Sequence, residues 1–259
     1  MFKRITSILF VVGLLLTVSP SRAAELVTAL PQPKPVSSAW FDTVVAINKQ
    51  VLSYGQGRVA GDRVHFVAID ARGNSRVEVI AVGDMVYVLM PGQQRWASAR
   101  ASELAGAVEV SAPAAPAIGI DADTPIFLVG DVDVGGAPTT QYQIPLDVSM
   151  LTQGNELPGV GFTSAVVDFF IGKTDGYLHK FQVTLRGSDP QLGDIEAEIV
   201  TVFSRFNTEV MVSAPPSEMV DPLPPRVAAS RYMLAGPQVL PAWARPIFAN
   251  GLRQMRQAR

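Results

Sequence analysis

The chain has 259 residues, no cysteine, two histidines and a formal net charge of −2. These numbers exclude disulfides, thiolate nucleophiles, Cys-ligated zinc and a general electrostatic case for nucleic acid. Hydrophobic residues make up 48% and charged residues only 17%, so a large apolar surface must be hidden in a core, a cavity or an interface.

The N-terminus opens with a basic stretch, Met1-Phe2-Lys3-Arg4, followed by a 14-residue apolar run from Ile5 to Val18. Ser21 and Ala23 stand at the −3 and −1 places of a cleavage site in "SPSRAAE". This pattern predicts a secretory signal peptide over residues 1–23, because the run falls short of the roughly 20 residues that span a bilayer. The expected location is therefore exported: periplasm, cell envelope or extracellular space. Residues 24–36 ("AELVTALPQPKPV") are Pro-rich and read as a linker.

"SSAWFDTVVAINKQVLSYGQG" is predicted to be an amphipathic helix. Ser37 or Ser38 would cap it, Trp40, Val44, Ile47 and Val51 would form its apolar stripe, and Gly55 or Gly57 would end it. A meander of strands follows. "RVHFVAID" places Val64, Phe66 and Ala68 on one face; "SRVEVIAVG" does the same for Val77, Val79 and Ala81; "MVYVLMPG" and "QQRWAS" complete it. Residues 98–123 carry a short helix capped by Ser102 and then a small, Pro-containing surface segment.

Strands resume with "TPIFLVGDVDV", the turn "GGAP" and "TTQYQIPLDVSML", then the loop "TQGNELPGVG". "AVVDFFIGKTDGYLHKFQVTLRG" is a hairpin turning at Asp175-Gly176, and "GDIEAEIVTVFSRFN" and "TEVMVSAPP" read as closing strands. The last residues, 217–259, form an Arg- and Pro-rich tail. From Asp221 onward it holds six arginines and one acid, whereas residues 24–220 hold 12 basic and 22 acidic residues. Such a tail suits contact with an anionic membrane surface, or docking on its own acidic body. A final short helix, "ARPIFANGLRQMRQAR", is expected within it.

No catalytic constellation is present: no G-x-S-x-G, H-E-x-x-H, P-loop or dinucleotide fingerprint. His65 and His179 lie 114 positions apart. The first reads as a packed or surface residue of a strand, the second as a rim or surface residue beyond a turn. Asp131 and Asp133 lack the further oxygen ligands of a calcium loop and read as solvent-facing residues before a turn. No catalytic residue, metal site or cofactor is expected, and the chain is not read as an enzyme.

Three stretches in order carry a resemblance. They are "VVGDMVYVLMPGQQRW", "VGDVDVGGAPTTQYQIPLDVSML", and "DFFIGKTDGYLHKFQVTL" with "FSRFNTEVMVSAPP". Over about Ser37 to Pro216 the chain resembles the LolA-like lipoprotein carriers, and most closely the LppX/LprAFG-type cell-envelope lipoproteins. Members are often lipid-anchored through a cysteine, which this chain lacks. The resemblance implies a mainly β (α+β) domain over residues 37–216. Its fold would be a strongly curved antiparallel sheet, or incompletely closed β-barrel, with helices over the concave face. It implies carriage of a lipid or acylated ligand by a monomer; an envelope sensor or interaction module of the same fold is the alternative. Strand alternation then names the cavity wall: Val64, Phe66, Val77, Val79, Val86, Val88, Ile126, Leu128, Phe169, Ile171, Phe181 and Val183.

Overall fold

The structure, a computed structural model, describes residues 24–71, 73, 76–100, 123–148, 160–222 and 255. The expected signal peptide, the helix capped by Ser102, most of the loop at 152–161 and most of the tail lie outside these residues.

Among these residues thirteen strands form one sheet. In chain order they are β1 (Glu25–Val27), β2 (Ser38–Ile47), β3 (Gln50–Ala60), β4 (Arg63–Asp70), β5 (Arg76–Val82), β6 (Met85–Leu89) and β7 (Trp96–Arg100). There follow β8 (Ile126–Val134), β9 (Ala137–Leu146), β10 (Gly161–Gly172), β11 (Leu178–Asp189), β12 (Gly193–Ser204) and β13 (Val220–Pro222). The spatial order is β1-β8-β9-β10-β11-β12-β2-β3-β4-β5-β6-β7-β13. Two antiparallel meanders, β2–β7 and β8–β12, are thus joined where β12 pairs with β2. Among the described residues the one parallel pair is β13 on β7. Among the described residues β1 and β13 are the edge strands, so the sheet is not closed. The face that carries the main apolar cluster is here called the inner face.

The helices expected over the concave face do not appear among the described residues. The one helical segment with defined bounds there is a 3₁₀ turn, Ser217–Met219. The helix predicted from "SSAWFDTVVAINKQVLSYGQG" is instead the β2–β3 hairpin. Thr43, Val44, Val45 and Ile47 are β-branched and fit a pleated surface better than a helix turn. Asn48 and Lys49 hold φ of 48° and 65°, the two left-handed residues of a tight hairpin turn whose twist matches the strands. Asn48 is fixed there by its side chain: Nδ2 donates to the Asp194 carbonyl at 3.0 Å and Oδ1 accepts from Glu196 N at 2.7 Å.

Gly55 and Gly57 do not end a helix. They sit mid-strand so that aromatic rings can lie on bare backbone. A Cβ on Gly55 would stand 2.4 Å from Phe66 Cζ, and one on Gly57 would stand 2.2 Å from Phe41 Cζ. The two rings stack at 5.8 Å with an interplanar angle of 10°.

The linker segment contributes β1, which pairs with β8. "TEVMVSAPP" pairs with no strand. Arg205 and Asn207, at φ of 51° and 56°, turn the chain away from the ladder after β12. The main apolar cluster gathers Val45, Ile47, Ile126, Ile144, Val167, Phe169, Phe181, Val183, Leu185 and Ile199 from β2 and β8–β12.

Candidate functional site

The ladder registers decide which side chains share a face. Val64 pairs with Ala81 and Phe66 with Val79 between β4 and β5. Val79 pairs with Val88 and Ala81 with Val86 between β5 and β6. On the other meander Leu128 pairs with Tyr142, Tyr142 with Phe169, Phe169 with Phe181, and Val183 with Ile199. Ile199 pairs with Val45 across the seam, and Phe203 with Phe41. Directly paired residues point the same way and alternate residues share a face. All twelve residues named from strand alternation therefore lie on the inner face.

Their surroundings differ. Ile126, Phe169, Phe181 and Val183 are buried in the packed cluster, with Leu30 and Met255 packed against it. Ile171 and Val86 are buried as well. Phe66 is buried in a second cluster with Phe41 and Ala68, which Val64 and Phe203 flank. Leu128, Val64, Val77, Val79 and Val88 are only half-buried. The least covered part of the apolar wall is thus the β4–β6 surface, beside the stacked Phe41 and Phe66 rings. A pocket of about 300 Å³ lies elsewhere, at the loop beyond β6, lined by Arg76, Glu78, Leu89, Met90 and Gln93 among others. It includes none of the twelve.

The hairpin turn at Asp175-Gly176 is closely fixed. Asp175 Oδ1 accepts from Tyr177 N at 3.0 Å, and Oδ2 pairs with His179 Nε2 at 2.9 Å. Burial works to raise the Asp175 pKa, but the bonds from Tyr177 N–H and His179 outweigh it and hold the carboxyl below its ordinary value. His179 is not a surface residue: it is 8% exposed and sets its ring edge-on to Phe206 at 5.0 Å. Tyr177 packs on the same ring at 4.9 Å. Asn207 Nδ2 donates to Tyr177 Oη at 2.8 Å, and Ser37 N donates to Asn207 Oδ1 at 2.8 Å. The hairpin is thereby tied to the segment leading into β2.

His65 lies on the outer face, with Nε2 2.6 Å from Glu78 Oε1. Arg76 donates to the other oxygen of Glu78 at 2.7 Å. Asp131 and Asp133 are exposed. Asp131 pairs with Lys173, and Asp133 Oδ1 accepts from Gly136 N at 2.7 Å in the β8–β9 turn.

The outer face carries charge where strand alternation alone does not point to burial. Asp168 is 6% exposed and accepts from Gln141 Nε2 at 2.9 Å and Gln143 Nε2 at 3.1 Å. Burial raises its pKa in spite of those bonds and of Lys180 nearby. Burial lowers the Lys180 pKa, and its ammonium sits 4.5 Å from the Phe170 ring centroid. Burial raises the Glu198 pKa too, with Glu196 adding to it. Lys180 is half-buried between the buried His179 and Phe181. What covers it is a tertiary matter.

No protein-family profile and no curated protein match the chain. Among solved structures it is similar to the lipoprotein LppX of Mycobacterium tuberculosis, with a TM-score of 0.44 and 16% identity over 69% of this chain and 90% of that one. LprF of Mycobacterium bovis gives 0.37 and 15%, over 70% and 90%. A DUF1329 family protein from Desulfovibrio piger gives 0.26 and 14%, over 69% and 88%.

Proposed function

We propose that this protein is an exported carrier that holds an acyl chain of a lipid against its apolar inner face. The observation that supports it is the shared orientation of Val64, Val77, Val79 and Val88, half-buried beside the aromatic pair of Phe41 and Phe66. Each buried methylene contributes about 0.8 kcal/mol, so ten would contribute about 8 kcal/mol before ordering costs. Such a seat needs no polar group to be effective, and selectivity would follow chain length. The role is binding and transfer, not turnover. The histidines suit it, since each is engaged with one carboxylate in a structural contact.

The test is lipid uptake. Protein purified from its native host should release acyl lipid on organic extraction, and delipidated protein should bind a fluorescent fatty acid. Val79→Asp and Val88→Asp should weaken that binding at least tenfold while leaving the urea midpoint of the fold largely in place. Absence of both extracted lipid and fatty-acid binding in the unmodified chain would overturn the proposal.

A further inference from the structure

The two halves of the inner face are covered unequally. Ile144, Val167, Phe169 and Val183 are 0% exposed, whereas Val64, Val77, Val79 and Val88 on β4–β6 are only half-buried. Among the described residues, the partly buried side chains packed against the covered half from outside the strands are Leu30, Val148, Val160 and Met255. The first three adjoin strands of that half: Leu30 lies three positions after β1, Val148 two after β9 and Val160 one before β10. Met255 does not. The last strand before it is β13, at the far border of the sheet. There Arg95 holds the Asp221 carboxylate through Nε and Nη2, both at 2.8 Å, and donates from Nη1 to the Glu218 carbonyl at 2.8 Å.

The chain therefore returns from one border to the opposite half. In sheet order β12 is seven strands from β13 and β8 is eleven, about 35–55 Å at the usual strand spacing. Pro222 and Met255 are 33 positions apart, enough for about 110 Å of extended chain. Charge favours the same return. From Asp221 onward there are six arginines and one acid, against 12 basic and 22 acidic residues in 24–220. Opposite net charges draw the tail to the body within about a Debye length. Met255 itself, between Arg253 and Arg256 in the chain, supplies a flexible thioether of the kind that fills irregular apolar gaps.

We propose that the C-terminal segment carrying Met255 is the resident occupant of the β8–β12 half of the inner face, and that a long acyl chain must displace it. The occupancy stands on the packing of Met255; the displacement rests on the carrier reading above. The seated segment keeps water off the apolar wall and leaves only β4–β6 open. Those three strands are about 15 Å across, so an extended oleate overruns them onto the occupied half. Only the undocked state accepts the whole chain, and the apparent affinity falls in proportion to its population.

The chain has no cysteine, so Met255→Cys carries a single thiol. Met211→Cys, at a residue 74% exposed, is the control. Each full-length variant is reacted with iodoacetamide in buffer and in urea. The Met211→Cys thiol should react at nearly the same rate in both. The Met255→Cys thiol should react at least tenfold more slowly in buffer, and saturating oleate should bring it within twofold of its urea rate. Met255→Asp, whose carboxylate is costly to seat in an apolar cluster, should bind oleate at least fivefold more tightly than the unmodified chain. If neither the unmodified chain nor Met255→Asp binds oleate, the carrier reading fails, while protection of the Met255→Cys thiol still upholds the seat. Equal rates for that thiol in buffer and urea would overturn the seat. Protection unchanged by bound oleate, with the Met255→Asp affinity within twofold of the unmodified chain, would overturn the displacement.

Discussion

Thr43 and Thr201 face each other across the seam between the two meanders, their hydroxyls 3.0 Å apart in an otherwise apolar stretch of the inner face. Both are buried, at 2% and 5% exposure. Removing one hydroxyl leaves the other without a partner, at a cost of about 1–3 kcal/mol, whereas removing both costs little. Thr43→Val and Thr201→Val should each destabilise in urea unfolding, and the double variant should be more stable than either single one. Additive losses would show that the two hydroxyls do not depend on each other.

Gly55 and Gly57 are required by the rings above them. Gly55→Ala must displace the Phe66 ring, since its Cβ would stand 2.4 Å from Cζ. Overpacking of this kind costs about 1–3 kcal/mol. Combining Gly55→Ala with Phe66→Leu should recover part of that loss. A urea series of the three variants checks it: equal losses for the single and combined changes would mean that the ring is not the obstacle.

Asp168 should make stability fall as pH rises. Its carboxyl has a pKa raised above 3.8 by burial, so the native state binds the proton more tightly than the unfolded chain. The contribution is most favourable below the unfolded value and declines as pH rises through the folded one. Glu198, also raised by burial, acts in the same direction. Asp175, lowered, acts oppositely: its contribution is present above the unfolded value and lost as pH falls through the folded one. Asp168→Asn removes the first of these alone. It should be more stable than the unmodified chain near neutral pH, with the gain vanishing toward about pH 3. A gain independent of pH would contradict a raised pKa.

Lys49 occupies the second left-handed position of the β2–β3 turn, at φ 65°. An L side chain there costs about 1–2 kcal/mol relative to glycine, partly offset by glycine's greater chain entropy. Lys49→Gly, giving the favoured Asn-Gly pair, should raise the unfolding free energy by about 0.5–1 kcal/mol. Asn48→Gly should lower it instead, because it deletes the bonds to Asp194 and Glu196.

Alternation made β4, β5 and β10–β12 readable, because side chains such as Val64, Phe66, Val79 and Ile199 repeat every second residue. The same rule put the twelve residues proposed as cavity wall on one side of their strands. The β2–β3 hairpin was hidden because Trp40, Val44, Ile47 and Val51 happen to fit a helical spacing. Asn48-Lys49 also lacks the glycine that usually marks so tight a turn. The glycines were misread for a similar reason: Gly55 and Gly57 look like helix stops until the rings from β2 and β4 are seen lying on them. His179 and Asp168 could not be placed, since their burial depends on Phe206 and on glutamines from a neighbouring strand.

Among the described residues, the two border strands of the sheet are each three residues long. On one side Pro222 offers no N–H, and Asp221 is locked by Arg95 through bonds of 2.8 Å. On the other, β1 is followed by Pro31, Pro33 and Pro35. Edges this short, charged or proline-bounded give a passing strand little to pair with. An open sheet of this width would otherwise recruit further copies edge to edge. Border strands of this kind work against such edge-to-edge growth while leaving the sheet open.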